Sequence, residues 1–190
     1  ETEVCENPDI MLPAMIMEDA FILSHTVEPV NIPEQEKVDA FLPPFQLEHT
    51  LMDFDDPHGF GSLVMPDNYM EFRYNIARAM DKTREVLAQV DKEFEDIFGR
   101  GNVGPIELYR CDGADAVLVI AGTVASTAKD VVDEMRAEGL KVGLARLRVF
   151  RPFPYEEMRD LARRFNSFGV MERVLAFGHN GPLYNELSLI

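Results

Sequence analysis

The chain has 190 residues, 46% hydrophobic and 27% charged, with a net charge of −16, enough for one full domain plus a substantial appendage. That sign opposes nucleic-acid binding, and no apolar run approaches the ~20 residues of a membrane span. Cys5 and Cys111 stand far apart and outside any CxxC pattern, which argues against a disulfide framework or an iron–sulfur ligand set and makes a reducing cytoplasm the default compartment.

The charge is uneven. Residues 1–66 hold 14 acidic side chains and a single base, Lys37, whereas residues 67–190 are close to balanced with 20 acidic and 17 basic. The acidic third is either a solvated surface or a face complementary to a basic partner. The chain begins at Glu1 without a basic-plus-apolar leader and stops at Ile190 inside a helix that starts near Pro182, so it is expected to be a piece of a longer subunit.

In chain order, Ile10 to Met17 is a short apolar run in which Pro13 removes a ladder donor; an edge strand, or one beginning after the proline, is expected. A turn at Glu18-Asp19 should lead into a helical start broken before Pro29. Pro33 to Leu42 predicts a short helix, with proline in its first turn and acids near its positive end, stopped by Pro43-Pro44. Residues 43–66 hold scattered acids and prolines without periodicity and should be an extended linker lying on other structure. From Asp67, a good cap, Met70, Tyr74, Ala77, Met80, Leu87, Val90, Phe94 and Ile97 keep three- and four-residue spacing as far as Gly99. This predicts one long helix, of the kind that braces two domains or two subunits.

Ala114 to Pro154 organises the rest. The run Ala116 to Ala121 shows no alternation, as expected of a parallel strand covered on both faces. Val124, Ala128, Val131, Val132 and Met135 form one apolar helix face, and a second strand runs from Lys141 to Phe150. Thr123 is expected to cap that helix and Gly139 to end it in a left-handed conformation. The product is a right-handed βαβ unit. Pro154 opens a further helix through Phe165; Phe168 to Phe177 gives a third strand interrupted by Glu172-Arg173; and Gly178 to Pro182 leads into the last helix. The fold class is therefore α/β, a small open parallel sheet of three strands between about Ile106 and Ile190 with helices on both faces.

Several residue groups carry possible chemistry. Gly122-Thr123 before a helix could cradle an anion, but GxGxxG and GK[ST] are absent, so a plain tight turn is the stronger reading. His49 and His58 flank Asp53, Asp55 and Asp56 without any metal-ligand spacing, and a solvated acidic loop is favoured. His25 beside Ser24 and Glu28 suggests a nucleophile, base and orienter, although sequence neighbours rarely reach triad geometry. Met11, Met15 and Met17 read as adaptable core or interface filler. Beyond the end of a parallel strand, Arg151-Pro152-Phe153-Pro154 is expected to be an interface element. Phe153 would be its apolar anchor and Arg151 would pair with a carboxylate or phosphate; the alternative is Phe153 packed under its own helix.

These residues also carry a resemblance. Leu12 to Met15, Ala20 to Val30, Val38 to Pro44, Tyr69 to Tyr74, Gly122 to Lys129, Val149 to Pro154, Glu172-Arg173 and Gly181 to Tyr184 together are similar to the α subunits of pyruvate:ferredoxin and related 2-oxoacid:ferredoxin oxidoreductases. Glu18-Asp19-Ala20 departs from an expected Asp-Gly pair, and His179-Asn180 departs from a glycine-rich turn. The resemblance implies oxidative decarboxylation of pyruvate or another 2-oxoacid to acyl-coenzyme A with reduction of ferredoxin. It also implies thiamine diphosphate, magnesium and [4Fe-4S] clusters, and partner subunits of the β, γ and δ type. It divides the chain into the tail of a pyrimidine-binding domain (1–50), a linker and long helix (51–105), and a domain resembling the C-terminal domain of transketolase (106–190). In the family the cofactors are held by segments outside this one. No residue here is therefore assigned a catalytic, cofactor-binding or metal-binding role, and the chain alone is expected to bind neither thiamine diphosphate nor a cluster. The alternative is a non-catalytic interaction or regulatory domain sharing the transketolase-like module.

Overall fold

A computed structural model describes residues 2–42, 44–45, 52–61, 63–101 and 103–190. The chain divides into two compact units, residues 1–15 with 30–102, and residues 16–29 with 103–190.

The first unit is helical. Helix α1 spans Thr2–Cys5, α3 spans Gln35–Phe41 and α4 spans Tyr69–Phe98; the short α2, Ile22–His25, belongs to the second unit. The 30 residues of α4 extend about 45 Å at 1.5 Å per residue. The helix ends at Gly99, whose φ of 69° is a left-handed conformation that glycine adopts without steric cost. Its start is one residue later than the sequence implies: Asn68, not Asp67, is the N-cap, and it makes no side-chain cap. Val4, Ile10 and Val86 form a small core with Leu12, Leu87 and Val90. Phe41 of α3 meets Phe94 and Phe98 of α4 edge-on, with ring centres 5.3 and 5.6 Å apart, a favoured aromatic geometry.

No strand forms between Ile10 and Met17. Met11 turns to φ 44°, the Ile10 and Met11 amides both donate to the Asn7 carbonyl, and Pro13 supplies no donor, so the run cannot stay in an extended ladder. Met15 and Met17 are exposed rather than core. Residues 52–61 and 63–66 carry no helix or strand, and Met52, Phe54 and Leu63 are open to solvent.

In the second unit, strands β1 (Ile106–Tyr109), β2 (Ala116–Ala121), β3 (Val142–Leu147) and β4 (Ser167–Met171) form one sheet in the order β1-β3-β2-β4. The sheet is mixed: β2 is parallel to β3 and β4, and β1 is antiparallel to β3. This corrects the three-stranded, all-parallel expectation. Strand β1 is only Ile-Glu-Leu-Tyr, and its place depends on pairing across the sheet, Ile106 opposite Leu147 and Tyr109 opposite Leu144. Its Glu107 receives Lys129 and Arg146, which gives this edge strand paired charges of the kind that discourage further strand addition.

Because side chains alternate across a strand, the two faces have separate cores. Helix α5 (Val124–Ala137) covers one face, where Ala125 and Val132 pack with Ile120 and Leu144. On the other face Val117, Val119, Ala145 and Leu147 pack with Phe153, with Met158 and Leu161 of α6 (Tyr155–Arg164), and with Leu183 of α7 (Pro182–Leu187). Gly139 follows α5 at φ 90°, as its position requires. Strand β4 stops at Met171 instead of continuing to Phe177, because Glu172 and Arg173 are drawn into contacts described next.

Candidate functional site

Strands β2, β3 and β4 run parallel, so their carboxyl ends emerge on one edge of the sheet, where open α/β sheets place functional loops. Each end contributes a polar side chain. After β2, Gly122 takes φ 81° and α5 starts at once. Thr123 stands at its N-cap but makes no cap; its hydroxyl instead donates to the carboxylate of Asp19, which also receives Arg173 Nη1 at 3.3 Å. A carboxylate of the chain's own thus occupies the Thr123 hydroxyl and joins the segment 16–29 to two loops of the sheet.

After β4, the Glu172 carboxylate accepts the amides of Leu183 and Tyr184 at 2.9 and 3.0 Å. An anion at a helix start is favoured both by the unpaired amides and by the helix dipole. Gly181 makes the arrangement possible, because a Cβ there would lie 1.8 Å from Glu172 Oε1. After β3, Arg151 Nη2 donates to Glu186 Oε1 at 2.5 Å, and its guanidinium lies 4.3 Å from the Phe150 ring centre. The Tyr155 hydroxyl donates to the other oxygen of Glu186, and this bond holds the phenol above its ordinary pKa.

Phe153 is 2% exposed, with its ring 4.9 Å from Tyr155 and 6.0 Å from Phe150. It is a core residue, so the expectation of an exposed interface anchor is corrected. The Arg151–Pro152 bond is cis. Burying about the whole of a phenyl ring is worth roughly 1.5–3 kcal/mol, which decides in favour of the interior. Arg151 does find a carboxylate, within its own chain.

The remaining candidates separate. Ser24 Oγ lies 2.7 Å from His25 Nδ1, but the same oxygen accepts the Phe21 amide at 3.0 Å, and Glu28 makes no hydrogen bond to the pair among the described residues. The result is a local cap and not a triad. Asp53 accepts the Asp55 and Asp56 amides, and His58 Nδ1 is 2.7 Å from the Asp56 carbonyl; His49 lies outside the described residues. Among those residues no three His, Cys, Asp or Glu side chains converge on a metal position. Cys111 is buried, its thiol donates to the Leu144 carbonyl at 3.2 Å, and burial raises its pKa. That environment does not fit an iron–sulfur ligand, which must be a thiolate.

The edge of the sheet is therefore a set of mutually satisfied ion pairs and hydrogen bonds. The carboxylates of Asp19, Glu172 and Glu186 are occupied by donors that hold these loops in place. Asp19 and Glu186 were not legible as site residues, since Asp19 reaches Thr123 across 104 positions and no local pattern announces such a partner. Glu172-Arg173 did carry a signal, as a charged pair breaking an apolar strand.

Two family models match the chain. Residues 3–92 match the thiamine diphosphate-binding domain of pyruvate flavodoxin/ferredoxin oxidoreductases, and residues 114–190 match core domain II of pyruvate:ferredoxin oxidoreductase. The chain belongs to the α subunits of the 2-oxoacid:ferredoxin oxidoreductases. It is 44% identical to the pyruvate synthase subunit PorA of Methanothermobacter thermautotrophicus over 187 residues, covering 98% of this chain and 48% of the relative. For the same subunit of Methanocaldococcus jannaschii the identity is 43% over 191 residues, 99% of this chain and 49% of the relative. The ketoisovalerate oxidoreductase subunit VorA of Pyrococcus horikoshii is 45% identical over 177 residues, 93% of this chain and 45% of the relative. The chain thus spans about half the length of the curated relatives it matches. No helix among the described residues is long and apolar enough to cross a membrane.

Proposed function

We propose that this chain is part of the α subunit of a thiamine diphosphate-dependent 2-oxoacid:ferredoxin oxidoreductase, with pyruvate as substrate, and that this part positions subunits and does not perform chemistry. The observation that carries the reading is the pair of family matches, in order and on either side of a short gap, together with relatives aligned over almost the whole chain. Within the reading, residues 1–50 end the pyrimidine-binding domain, 51–105 form the linker and long helix, and 106–190 form the transketolase C-terminal-like domain.

Two properties support a positional role. No charged side chain is buried among the described residues, so apart from the Cys111 thiol they offer no desolvated acid or base of the kind that active sites tune. Large apolar side chains are exposed outside the three cores, including Met15, Phe21, Tyr69, Met70 and Phe72. Concentrations of that kind mark surfaces that further structure covers, whether the rest of the subunit or another one, and α4 bears three of them.

Thiamine diphosphate, when bound, supplies the carbanion-stabilising chemistry. With magnesium, the clusters, coenzyme A and ferredoxin, it is assigned to the β-, γ- and δ-type subunits and to parts of the α subunit outside these residues, in a cytoplasmic complex. The test is the assembled complex, assayed for ferredoxin reduction dependent on both 2-oxoacid and coenzyme A, with pyruvate and 3-methyl-2-oxobutanoate compared. Reduction that requires thiamine diphosphate and prefers pyruvate is expected. A complex that reduces ferredoxin with neither acid would overturn the reading.

A further inference from the structure

Sequence and packing assign the segment 16–29 differently. It lies inside residues 3–92, the thiamine diphosphate-binding match, yet it groups with residues 103–190, the unit that contains the core domain II match. The fastening is a side chain. Asp19 is the one residue of 16–29 that is not exposed. Its Oδ2 accepts the Thr123 hydroxyl, and its Oδ1 receives Arg173 Nη1 at 3.3 Å. Thr123 follows β2 and Arg173 follows β4, neighbouring parallel strands, so one carboxylate spans two strand ends on the edge where open α/β sheets place functional loops.

The two contacts of Asp19 are unequal. The Arg173 side chain is 75% exposed, and an ion pair that open contributes little. The bond from Thr123 is part-buried and runs to a charged acceptor, a stronger class of hydrogen bond. Thr123 stands where a hydroxyl ordinarily accepts an amide of its own helix, and it makes no such bond. Residues 21–26 are tied to one another: Ser24 Oγ accepts the Phe21 amide at 3.0 Å, the His25 amide donates to the Phe21 carbonyl at 3.0 Å, and the Thr26 hydroxyl donates to the Ile22 carbonyl. They form one piece whose place is set at Asp19. We propose that Asp19 is a positioning residue of the enzyme, which through Thr123 fixes this piece of the thiamine diphosphate-binding domain against the strand-end edge of core domain II and holds the turn from β2 into α5 in one arrangement. The proposal rests on the reading of the chain as part of a 2-oxoacid:ferredoxin oxidoreductase subunit.

The test measures amide hydrogen exchange in the full-length subunit and turnover in the assembled complex. Asp19→Ala should speed exchange at Phe21 and His25 by about tenfold or more, the effect of losing a hydrogen bond to a charged group, and Thr123→Val should do the same. The double variant should exchange no faster than Asp19→Ala, because both changes remove one bond. Asp19→Asn keeps an acceptor for Thr123, and Arg173→Gln removes only the exposed pair, so each should stay within about threefold of wild type. Amides of Val117 to Ile120 should be unchanged throughout, which separates release of the segment from unfolding of the sheet. In the complex, Asp19→Ala should lower turnover by about tenfold with half-saturating 2-oxoacid unchanged, and Asp19→Asn should restore it. Multiplying effects of the two single variants on exchange overturn the proposal. So does a Thr123→Val variant that speeds exchange only at Ala125 and Ser126, in its own helix, or an Asp19→Ala complex with wild-type turnover. A wild-type complex without activity defeats the functional reading and the positioning role with it, while the exchange rates alone still decide whether Asp19 fastens the segment.

Discussion

Replacing Phe153 by Ala tests whether the connection after β3 is interior or interface. The ring is 2% exposed and belongs to the cluster with Val117, Val119, Met158, Leu161 and Leu183. Removing it loses the transfer energy of a phenyl group and leaves a cavity, together about 3–5 kcal/mol. Two further ring contacts disappear, to Phe150 and Tyr155, which places the expectation in the upper part of that range. The second unit has about a hundred residues, for which 1 kcal/mol corresponds to roughly 4–8 °C. A fall in Tm of at least about 12 °C is expected. Because the chain has two compact units, the measurement should be specific to the sheet, and amide hydrogen exchange at Val117 to Ile120 provides this. Protection there should drop by the same free energy. The reasoning is refuted if Phe153→Ala leaves these amides within about 1 kcal/mol of wild type and instead weakens subunit assembly.

Other consequences are equally direct. Gly181→Ala should push Glu172 off the start of α7 and cost about 1 kcal/mol, since its Cβ would sit 1.8 Å from the carboxylate; in a Glu172→Ala background the same change should be nearly neutral, and equal effects in both backgrounds in denaturant titrations would refute the coupling. Gly143→Ala places a Cβ 2.9 Å from the Cys111 Cα and 3.0 Å from the Arg110 carbonyl, where backbone has to move, so a loss of about 1–3 kcal/mol is expected in urea unfolding. Glu107 is held below the ordinary carboxyl range by its hydrogen bond from Lys129, with Arg146 adding to it. Its stabilisation is present above the unfolded value near about 4.3 and is lost as pH falls through the lower folded value. The side chain is 22% exposed, so the contribution is under about 1 kcal/mol; Glu107→Gln should be less stable than wild type at pH 7 and converge with it below about pH 4, as thermal melts across that range would show.

What could be read along the chain was whatever depends on near neighbours. The continuous apolar strands Ala116 to Ala121 and Val142 to Leu147, the spacing of Val124, Ala128, Val131 and Val132, and the helix-ending Gly99 and Gly139 each state a local conformation, because strand and helix periods place those side chains together whatever the rest of the chain does. The resemblance to the oxidoreductase α subunits rested on the same kind of contiguous stretches, and the family matches agree with it. The antiparallel place of β1, the burial of Phe153 and the latch from Asp19 to Thr123 and Arg173 were decided only in three dimensions. Ile106 to Tyr109 is too short to show a period, and Phe153 reads the same whether it faces a partner or its own sheet. Asp19 acquires its role from a strand end 104 positions away. Such pairings are selected by loop closure and by the sum of packing over both faces of the sheet, quantities that no window of sequence contains.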